Sequence, residues 1–194
     1  LYLRVPGWCD RATVSLNGTP LDLTSRPSSY FRIQRRWSDG DRVKVHLHMP
    51  LTLTTWKKNK DCVSINRGPL TFSLKVEEEY VRDGGSDQWP AWEVRPQSPW
   101  NYGLVLDDRD PAEQFVVSKT SWPADDQPFK YDRAPIELMA KAAQISDWTA
   151  DKMGAVGHIP QSPVKVSSFD EDITLIPMGC ARLRISAFPQ ISRD

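Results

Sequence analysis

Short segments in which apolar and polar residues alternate recur through the first 76 residues, and this pattern constrains the fold more than any other feature. Alternation with a period of two is typical of strands that are buried on one face. Asn17-Gly18 lies between two such segments and is a strong hairpin signal. The spacing is that of a β-sandwich, and the predicted strands are residues 1–5, 12–16, 20–23, 30–33, 42–47, 51–56, 62–66 and 70–76.

The composition changes at residues 77–87, which are polar and rich in charged residues and glycine, and this change predicts a domain boundary near residue 80. Residues 136–143 combine helix-favouring composition with alternation, and we predict a long strand there. The chain is therefore predicted to be all-β, with two antiparallel β-sandwich domains in tandem at 1–80 and 81–194. The other strands predicted after the boundary are residues 92–95, 102–106, 115–117, 163–166, 173–176 and 181–188.

The charge and cysteine content exclude several classes of partner and site. Lys plus Arg equals Asp plus Glu at 25 each, so the chain has no electrostatic bias toward nucleic acid or an anionic membrane surface. No apolar run is long enough for a transmembrane helix. Cys9, Cys62 and Cys180 are far apart and odd in number, so we predict neither a disulfide framework nor a metal site.

The usual catalytic patterns are absent from the sequence. His46 and His48 could face one side of a strand, but no third metal ligand is predictable, and we expect them to be solvent-facing polar residues. Adjacent carboxylates seldom span a glycosidase cleft, because neighbouring side chains point apart. We therefore expect the acidic pairs to be solvated turn residues; these are Asp107-Asp108, Asp125-Asp126 and the run Asp170 to Asp172.

The segment WPAWEVRPQSPWNY, residues 89–102, contains three of the eight tryptophans and has two interpretations. One is a carbohydrate-binding surface, because an aromatic ring matches the C–H face of a sugar; its residues would be Trp89, Trp92, Trp100 and Tyr102. The other is a loop whose rings fill the end of a sandwich or a seam between domains. The large area that tryptophan buries favours the second interpretation, and both stay open.

Several segments, taken in order, share one resemblance. They resemble glycoside hydrolase family 127, the β-L-arabinofuranosidase-like group, over nearly the whole chain, although Met178 stands where that family often has Tyr. The segments are LYLRVPGWCD at 1–10, VSLNGTPL at 14–21, RWSDGD at 36–41, HLHMPLTL at 46–53, INRGPLTFSL at 65–74, WEVRPQSPWNYGLVL at 92–106 and LIPMGCARLRISAFP at 175–189.

The resemblance implies a catalytic (α/α)₆ barrel that precedes the β domains, and this sequence contains none of the barrel. In that family a cysteine nucleophile is implied beside Zn²⁺, which further cysteines and a glutamate hold, with another glutamate as acid/base. The three cysteines here do not lie in those motifs, so no catalytic residue is assigned. No cofactor is expected in this chain, and zinc is expected only in the barrel. Leu1 is expected to lie in an interior strand of a longer enzyme, and the first sandwich to lack its initial strands.

The resemblance therefore implies a non-catalytic C-terminal accessory region of such a hydrolase, which supports the barrel of the same polypeptide and the rim of its cleft. A homodimer of the full-length protein is an open alternative, as are contacts with plant-type glycans. No nucleic acid or membrane partner is expected. Two other functions stay open: an independent carbohydrate-binding module, and a β domain for protein–protein contact. The sequence does not decide between a periplasmic, a secreted and a cytoplasmic location.

Overall fold

The computed structural model describes residues 1–193, and β-strands dominate it. The helical segments are one turn of α-helix, α1 (Pro111–Gln114), and 3₁₀ turns at Lys57–Asn59 and Met178–Cys180. No helix among the described residues could cross a membrane. The strands are β1 (Tyr2–Val5), β2 (Ala12–Leu16), β3 (Thr19–Leu21), β4 (Ser29–Arg32), β5 (Val43–Leu47), β6 (Leu51–Trp56), β7 (Cys62–Arg67), β8 (Leu70–Leu74), β9 (Glu78–Gly85), β10 (Pro90–Pro96), β11 (Tyr102–Leu104), β12 (Val116–Lys119), β13 (Ile136–Gln144), β14 (Val164–Lys165), β15 (Asp170–Pro177) and β16 (Ile191–Ser192).

The chain forms two compact units, and the first contains Leu1–Leu51 with Arg67–Pro69. Its strands form two antiparallel sheets, β1 with β4 and the order β3-β2-β5. Asn17 and Gly18 both have positive φ, at 50° and 84°, so the β2–β3 hairpin turns at the position that the sequence predicted.

One core connects the two sheets of the first unit. Ala12 and Val14 alternate with the exposed Thr13 on β2, and they pack with Val5 of β1 and Phe31 of β4. Cys9, Ile33 and the inner residues of β5 complete the cluster. Two antiparallel sheets around one apolar core are the arrangement that the sandwich prediction required.

Among the described residues, the second unit contains Thr52–Asn66 and residues 70–193, and it is built on a seven-stranded sheet. The strand order is β11-β13-β15-β8-β7-β6, and β12 pairs with another part of β13. On β13, Leu138 and Ala140 are buried whereas Met139 and Lys141 are exposed. This alternation, which runs from Ile136 to Ala142, confirms the long strand predicted at residues 136–143 over the helix that the composition favoured.

Smaller apolar clusters lie in the loops and strand ends of the second unit. One contains Ala143, Ile145, Trp148 and Ile191, and Trp100 packs against it. Another contains Ala134, Ile176, Cys180 and Ala181, with Tyr131 at its edge. β14 pairs with β16 in the parallel direction over two residues.

The other strand pairs described are antiparallel. The prediction of an all-β chain with antiparallel sheets is confirmed.

Three local expectations differ from the structure. The two units divide near residue 51 rather than near residue 80, because β8 hydrogen-bonds to β15 and so ties the residues before 80 to the second half of the chain. Residues 78–85, which lie in the polar stretch predicted to hold the domain boundary, form the strand β9, which pairs with β10. Residues 181–188, predicted as a strand, are irregular apart from a single bridge between Phe188 and Val63.

Candidate functional site

The tryptophan-rich segment passes through three environments, because it begins in a turn, continues along β10 and ends in the buried strand β11. The turn joins β9 to β10, and Ser86 and Trp89 exchange backbone hydrogen bonds of 3.1 Å across it. Gly85 has a φ of +72°, and a Cβ there would lie 2.3 Å from the carbonyl oxygen of Trp89. Glycine is therefore required for this turn to close.

Trp89 and Trp92 are exposed on this hairpin, at 75% and 52% of their full surface. Trp92 lies opposite Arg82 on β9, and Val94 lies opposite Tyr80. Directly opposed residues of an antiparallel pair lie on one face of a sheet, so Trp92 shares a face with Tyr80. Tyr80 is also half exposed, at 50%. The hairpin thus presents aromatic rings to the surroundings.

Trp100 lies in a different environment, against the apolar cluster of the second unit. Its ring meets the Trp148 ring edge to face, with centroids 5.3 Å apart and planes at 84°. Trp148 is only 3% exposed, and its indole N–H donates to the Gly157 carbonyl at 3.1 Å. Such a pair stabilises packing beyond the apolar area it buries.

Tyr102 is buried, at 6% of its full surface, and its hydroxyl donates to Glu171 Oε2 at 3.2 Å. Burial, reinforced by the neighbouring Glu171 carboxylate, raises the pKa of Tyr102 to about 12. The four predicted carbohydrate-binding residues therefore do not form one surface. Trp89 and Trp92 are exposed, whereas Trp100 is partly buried against the Trp148 cluster and Tyr102 is buried.

A cavity of about 480 Å³ lies beside the hairpin, and the sequence did not reveal it. Tyr80, Phe129, Tyr131 and Arg182 line it together with charged neighbours. Phe129 is 57% exposed, so its ring is available to a ligand. These residues come from three distant parts of the chain, and no spacing rule connects positions near 80, 130 and 182.

One carboxylate, that of Glu78, fixes a wall of this cavity. Its Oε1 accepts the backbone N–H of Arg182 at 2.9 Å, and its Oε2 accepts the hydroxyl of Tyr80 at 3.0 Å. Burial and the Glu78 carboxylate raise the pKa of Tyr80, and the guanidinium of Arg182 partly opposes this shift. Tyr80 is thus a neutral, oriented ring at neutral pH.

The acidic pairs lie at the surface, where basic side chains bind them. The run Asp170 to Asp172 is exposed as expected, but it begins the strand β15 and is not a turn. Asp107 accepts from Arg109 Nε at 2.8 Å, and Asp125 forms an ion pair with Arg133. The hydrogen bond from Arg109 lowers the pKa of Asp107, and the backbone N–H of Gln127 lowers that of Asp125. A glycosidase acid needs a raised pKa, so these carboxylates are suited to fixing turns and not to donating protons.

The three cysteines of this chain lack the properties of zinc ligands, such as those that the resemblance implies for the barrel. Cys9, Cys62 and Cys180 are all buried and free. Burial raises the pKa of Cys62 to about 11 and also raises that of Cys180. A zinc ligand or a nucleophile is a thiolate, which a raised pKa disfavours. Within residues 1–193 no three His, Cys, Asp or Glu side chains group as a metal site would require.

The two neighbouring histidines do not act together. His46 is exposed on β5 opposite Thr13, whereas His48 follows the end of that strand. The His48 ring nitrogen Nδ1 lies 3.1 Å from Asp10 Oδ1. That hydrogen bond lowers the pKa of Asp10. The contact between His48 and Asp10 thus lies at the surface of the first unit.

Comparisons with known proteins agree with the motifs in the sequence. Residues 1–49 match the family model described as the beta-L-arabinofuranosidase, GH127 middle domain. No curated protein matches this chain in sequence. The resemblance to glycoside hydrolase family 127 is therefore confirmed by the family model over the first quarter of the chain.

Solved structures extend the likeness over the rest of the chain. A protein described as a glycoside hydrolase has a TM-score of 0.59 at 21% identity, and the match covers 99% of this chain and 28% of that one. A GH127 beta-L-arabinofuranosidase from Geobacillus stearothermophilus T6 has a TM-score of 0.56 at 22% identity over 98% of this chain and 26% of its own.

A third solved structure, described as a GH127 beta-arabinofuranosidase, has a TM-score of 0.52 at 18% identity over 99% of this chain and 26% of its own. At identities this low, it is the TM-scores that show a shared fold. The chain spans about a quarter of the length of each of these proteins.

Proposed function

We propose that this chain is a non-catalytic accessory region of a β-L-arabinofuranosidase-like glycoside hydrolase, which supports a catalytic barrel in the same polypeptide. The observation that carries this proposal is the match of residues 1–49 to the GH127 middle domain. The fold matches, which cover nearly all of this chain but about a quarter of each relative, support it as well. The same role includes shaping the cleft rim and contributing to contacts between subunits.

The chemistry of the described residues also supports a role without catalysis. Asp107 and Asp125 have lowered pKa values and bind arginines, so they are poor proton donors at neutral pH. The thiols of Cys62 and Cys180 have raised pKa values and are poor nucleophiles. Neither group therefore provides the carboxyl pair usual in glycosidases or the thiolate nucleophile that the resemblance implies for the barrel.

An activity assay tests the absence of catalysis. The isolated chain is incubated with an aryl β-L-arabinofuranoside, with and without added zinc, and we expect no release of the aryl group. A polypeptide in which the barrel precedes this region serves as the positive control. Zinc-dependent turnover by the isolated chain would overturn the proposal.

Support of the barrel is tested in that longer polypeptide. Leu138 is fully buried on β13, and Leu138→Ala is expected to cost about 2–5 kcal/mol in this region. If the region supports the barrel, this variant also lowers the temperature at which zinc-dependent activity is lost on heating. Met139→Ala is the matched control, because Met139 is 44% exposed on the same strand. An unchanged inactivation temperature for Leu138→Ala would contradict the supporting role.

A second candidate function is carbohydrate binding through Trp89 and Trp92, and their exposure of 75% and 52% favours it. Tryptophan fluorescence is measured while arabinan or arabinogalactan is added. We expect a shift or quench that Trp89→Ala and Trp92→Ala remove. No change at millimolar sugar would exclude this function.

A further inference from the structure

We infer that the cavity between Tyr80 and Phe129 binds one neutral sugar residue of a glycan. This site is separate from the exposed Trp89 turn, and the inference does not depend on the accessory role. It is based on three properties of the cavity: its aromatic walls, its balanced charge and the hydrogen bonds that hold its walls in place.

The size and the aromatic walls of the cavity suit a small ring. Its volume of about 480 Å³ lies within the roughly 300–1,000 Å³ usual for small-molecule sites. Tyr80 and Phe129 are 50% and 57% exposed, so each can lie against the C–H face of a sugar. Both are rings with few rotatable bonds, and ordering them against a ligand costs little entropy.

The charged residues around the rings balance one another. Lys130 and Arg182 contribute two positive charges, and Glu78 and Asp132 contribute two negative charges. Both oxygens of Glu78 already accept hydrogen bonds, from Tyr80 and from the backbone of Arg182. Within residues 1–193, the side chains of Lys130 and Asp132 form no hydrogen bond or ion pair, so they are free to bind sugar hydroxyls.

This balance favours a neutral sugar over a uronic acid. A carboxylate on the ligand would meet Asp132 and Glu78 as well as the two cations, so its net electrostatic gain would be small. Hydroxyl groups, by contrast, can both donate to Asp132 and accept from Lys130 and Arg182. A neutral sugar is thus the ligand that uses every free group.

The walls of the cavity are held in place before a ligand arrives. Glu78 links Tyr80 to the segment that carries Arg182 through the two hydrogen bonds above. Tyr131 packs against the buried cluster of Ala134, Ile176, Cys180 and Ala181. A site whose walls are already ordered loses less entropy when it binds.

Saturation-transfer NMR on the intact chain tests this inference with two probes: arabinotriose prepared from arabinan as the neutral sugar, and trigalacturonate as the anionic sugar. We expect arabinotriose to bind with millimolar Kd and trigalacturonate to bind more weakly. Phe129→Ala and Arg182→Gln should each weaken binding of arabinotriose about tenfold, since each removes one of the few direct contacts.

Phe169→Ala is the matched control for Phe129→Ala, because it removes an exposed phenylalanine ring outside the cavity and should leave the affinity unchanged. Near-UV circular dichroism of each variant establishes that it folds. Absence of binding, unchanged affinity in Phe129→Ala, or preference for trigalacturonate would each overturn the inference. Loss of binding in Trp89→Ala alone would assign the sugar to the hairpin surface instead and would also overturn it.

Discussion

The two ends of the tryptophan-rich segment lie in opposite environments, although each has a tryptophan next to a proline. Trp89 and Trp92 belong to the β9–β10 hairpin and are mostly exposed. Trp100 packs edge to face on Trp148, and Tyr102 is buried with its hydroxyl on Glu171. About ten residues of chain thus separate exposed rings from structural ones.

The difference in exposure follows from the strands with which β10 and β11 pair. β10 pairs only with β9, in a two-stranded sheet, so its rings have no buried face to enter. β11 pairs with β13 within the large sheet, which carries Tyr102 into the interior. An isolated hairpin leaves its apolar side chains available to ligands, whereas a strand of a large sheet uses them for packing.

The largest predicted effect is at the partner of Trp100. Trp148→Ala removes a ring that is 3% exposed, and we expect the free energy of unfolding to fall by about 3–5 kcal/mol. Urea unfolding followed by circular dichroism measures this change. A loss below about 1 kcal/mol would show that the Trp100–Trp148 contact is not part of a packed core.

Gly103, between Trp100 and the end of β11, gives the next largest effect. A Cβ there would lie 2.5 Å from Ile191 Cδ1 and 3.0 Å from the carbonyl oxygen of Pro189. Gly103→Ala should therefore destabilise the chain by about 1–3 kcal/mol through overpacking. Gly179→Ala is the control, because nothing lies within 4 Å of its Cβ position. Equal unfolding midpoints for the two variants would contradict the close packing around β11.

Tyr102→Phe removes the hydrogen bond to Glu171 and should cost about 0.5–1.5 kcal/mol at neutral pH. The pKa of Tyr102 is about 12 in the folded chain, above its ordinary value of 10.0. Between these values the unfolded chain releases the proton and the folded chain keeps it, so stability falls as the pH rises from 10 toward 12.

Urea midpoints measured across that alkaline range should therefore fall less steeply for Tyr102→Phe than for the parent chain. Cys62, whose pKa is raised to about 11, produces a similar loss beginning at lower pH in both proteins, so the comparison isolates the tyrosine. Identical pH profiles would show that Tyr102 is not buried beside Glu171.

The smallest effects are predicted on the hairpin. Trp89→Ala and Trp92→Ala remove rings that are mostly exposed, and each should change the free energy of unfolding by less than about 0.5 kcal/mol. The same urea titration measures both. A loss of 2 kcal/mol or more, on the order seen for a buried ring, would place these tryptophans in a core.

Local patterns in the sequence predicted most of the strands. Alternation located β2, β5 and β13, and Asn17-Gly18 located the first hairpin, because these signals depend on neighbouring residues alone. The polar composition of residues 77–87 was misleading. Charged side chains are compatible with a strand when both faces of a two-stranded sheet are solvated, as they are in β9.

The candidate sites depended on long-range pairing, which the sequence alone could not supply. Trp92 and Trp100 both have prolines nearby in the sequence, so their local sequence does not distinguish them. Trp100 has a packing role because its ring contacts the distant Trp148. The cavity beside Tyr80 requires Phe129 and Arg182, which are about 50 and 100 positions away in the chain. Contacts of that range are determined by sheet order and loop paths.

The most direct test of the division between the exposed hairpin and the packed interior measures the solvent contact of the individual tryptophan rings. The chain is labelled with 5-fluorotryptophan, the ¹⁹F signals are assigned by Trp→Phe variants, and a soluble gadolinium chelate is added. We predict strong broadening for Trp89 and Trp92, weaker broadening for Trp100, and a sharp signal for Trp148, which is 3% exposed. Equal broadening of Trp89 and Trp148 would contradict the division between an exposed hairpin and a packed interior.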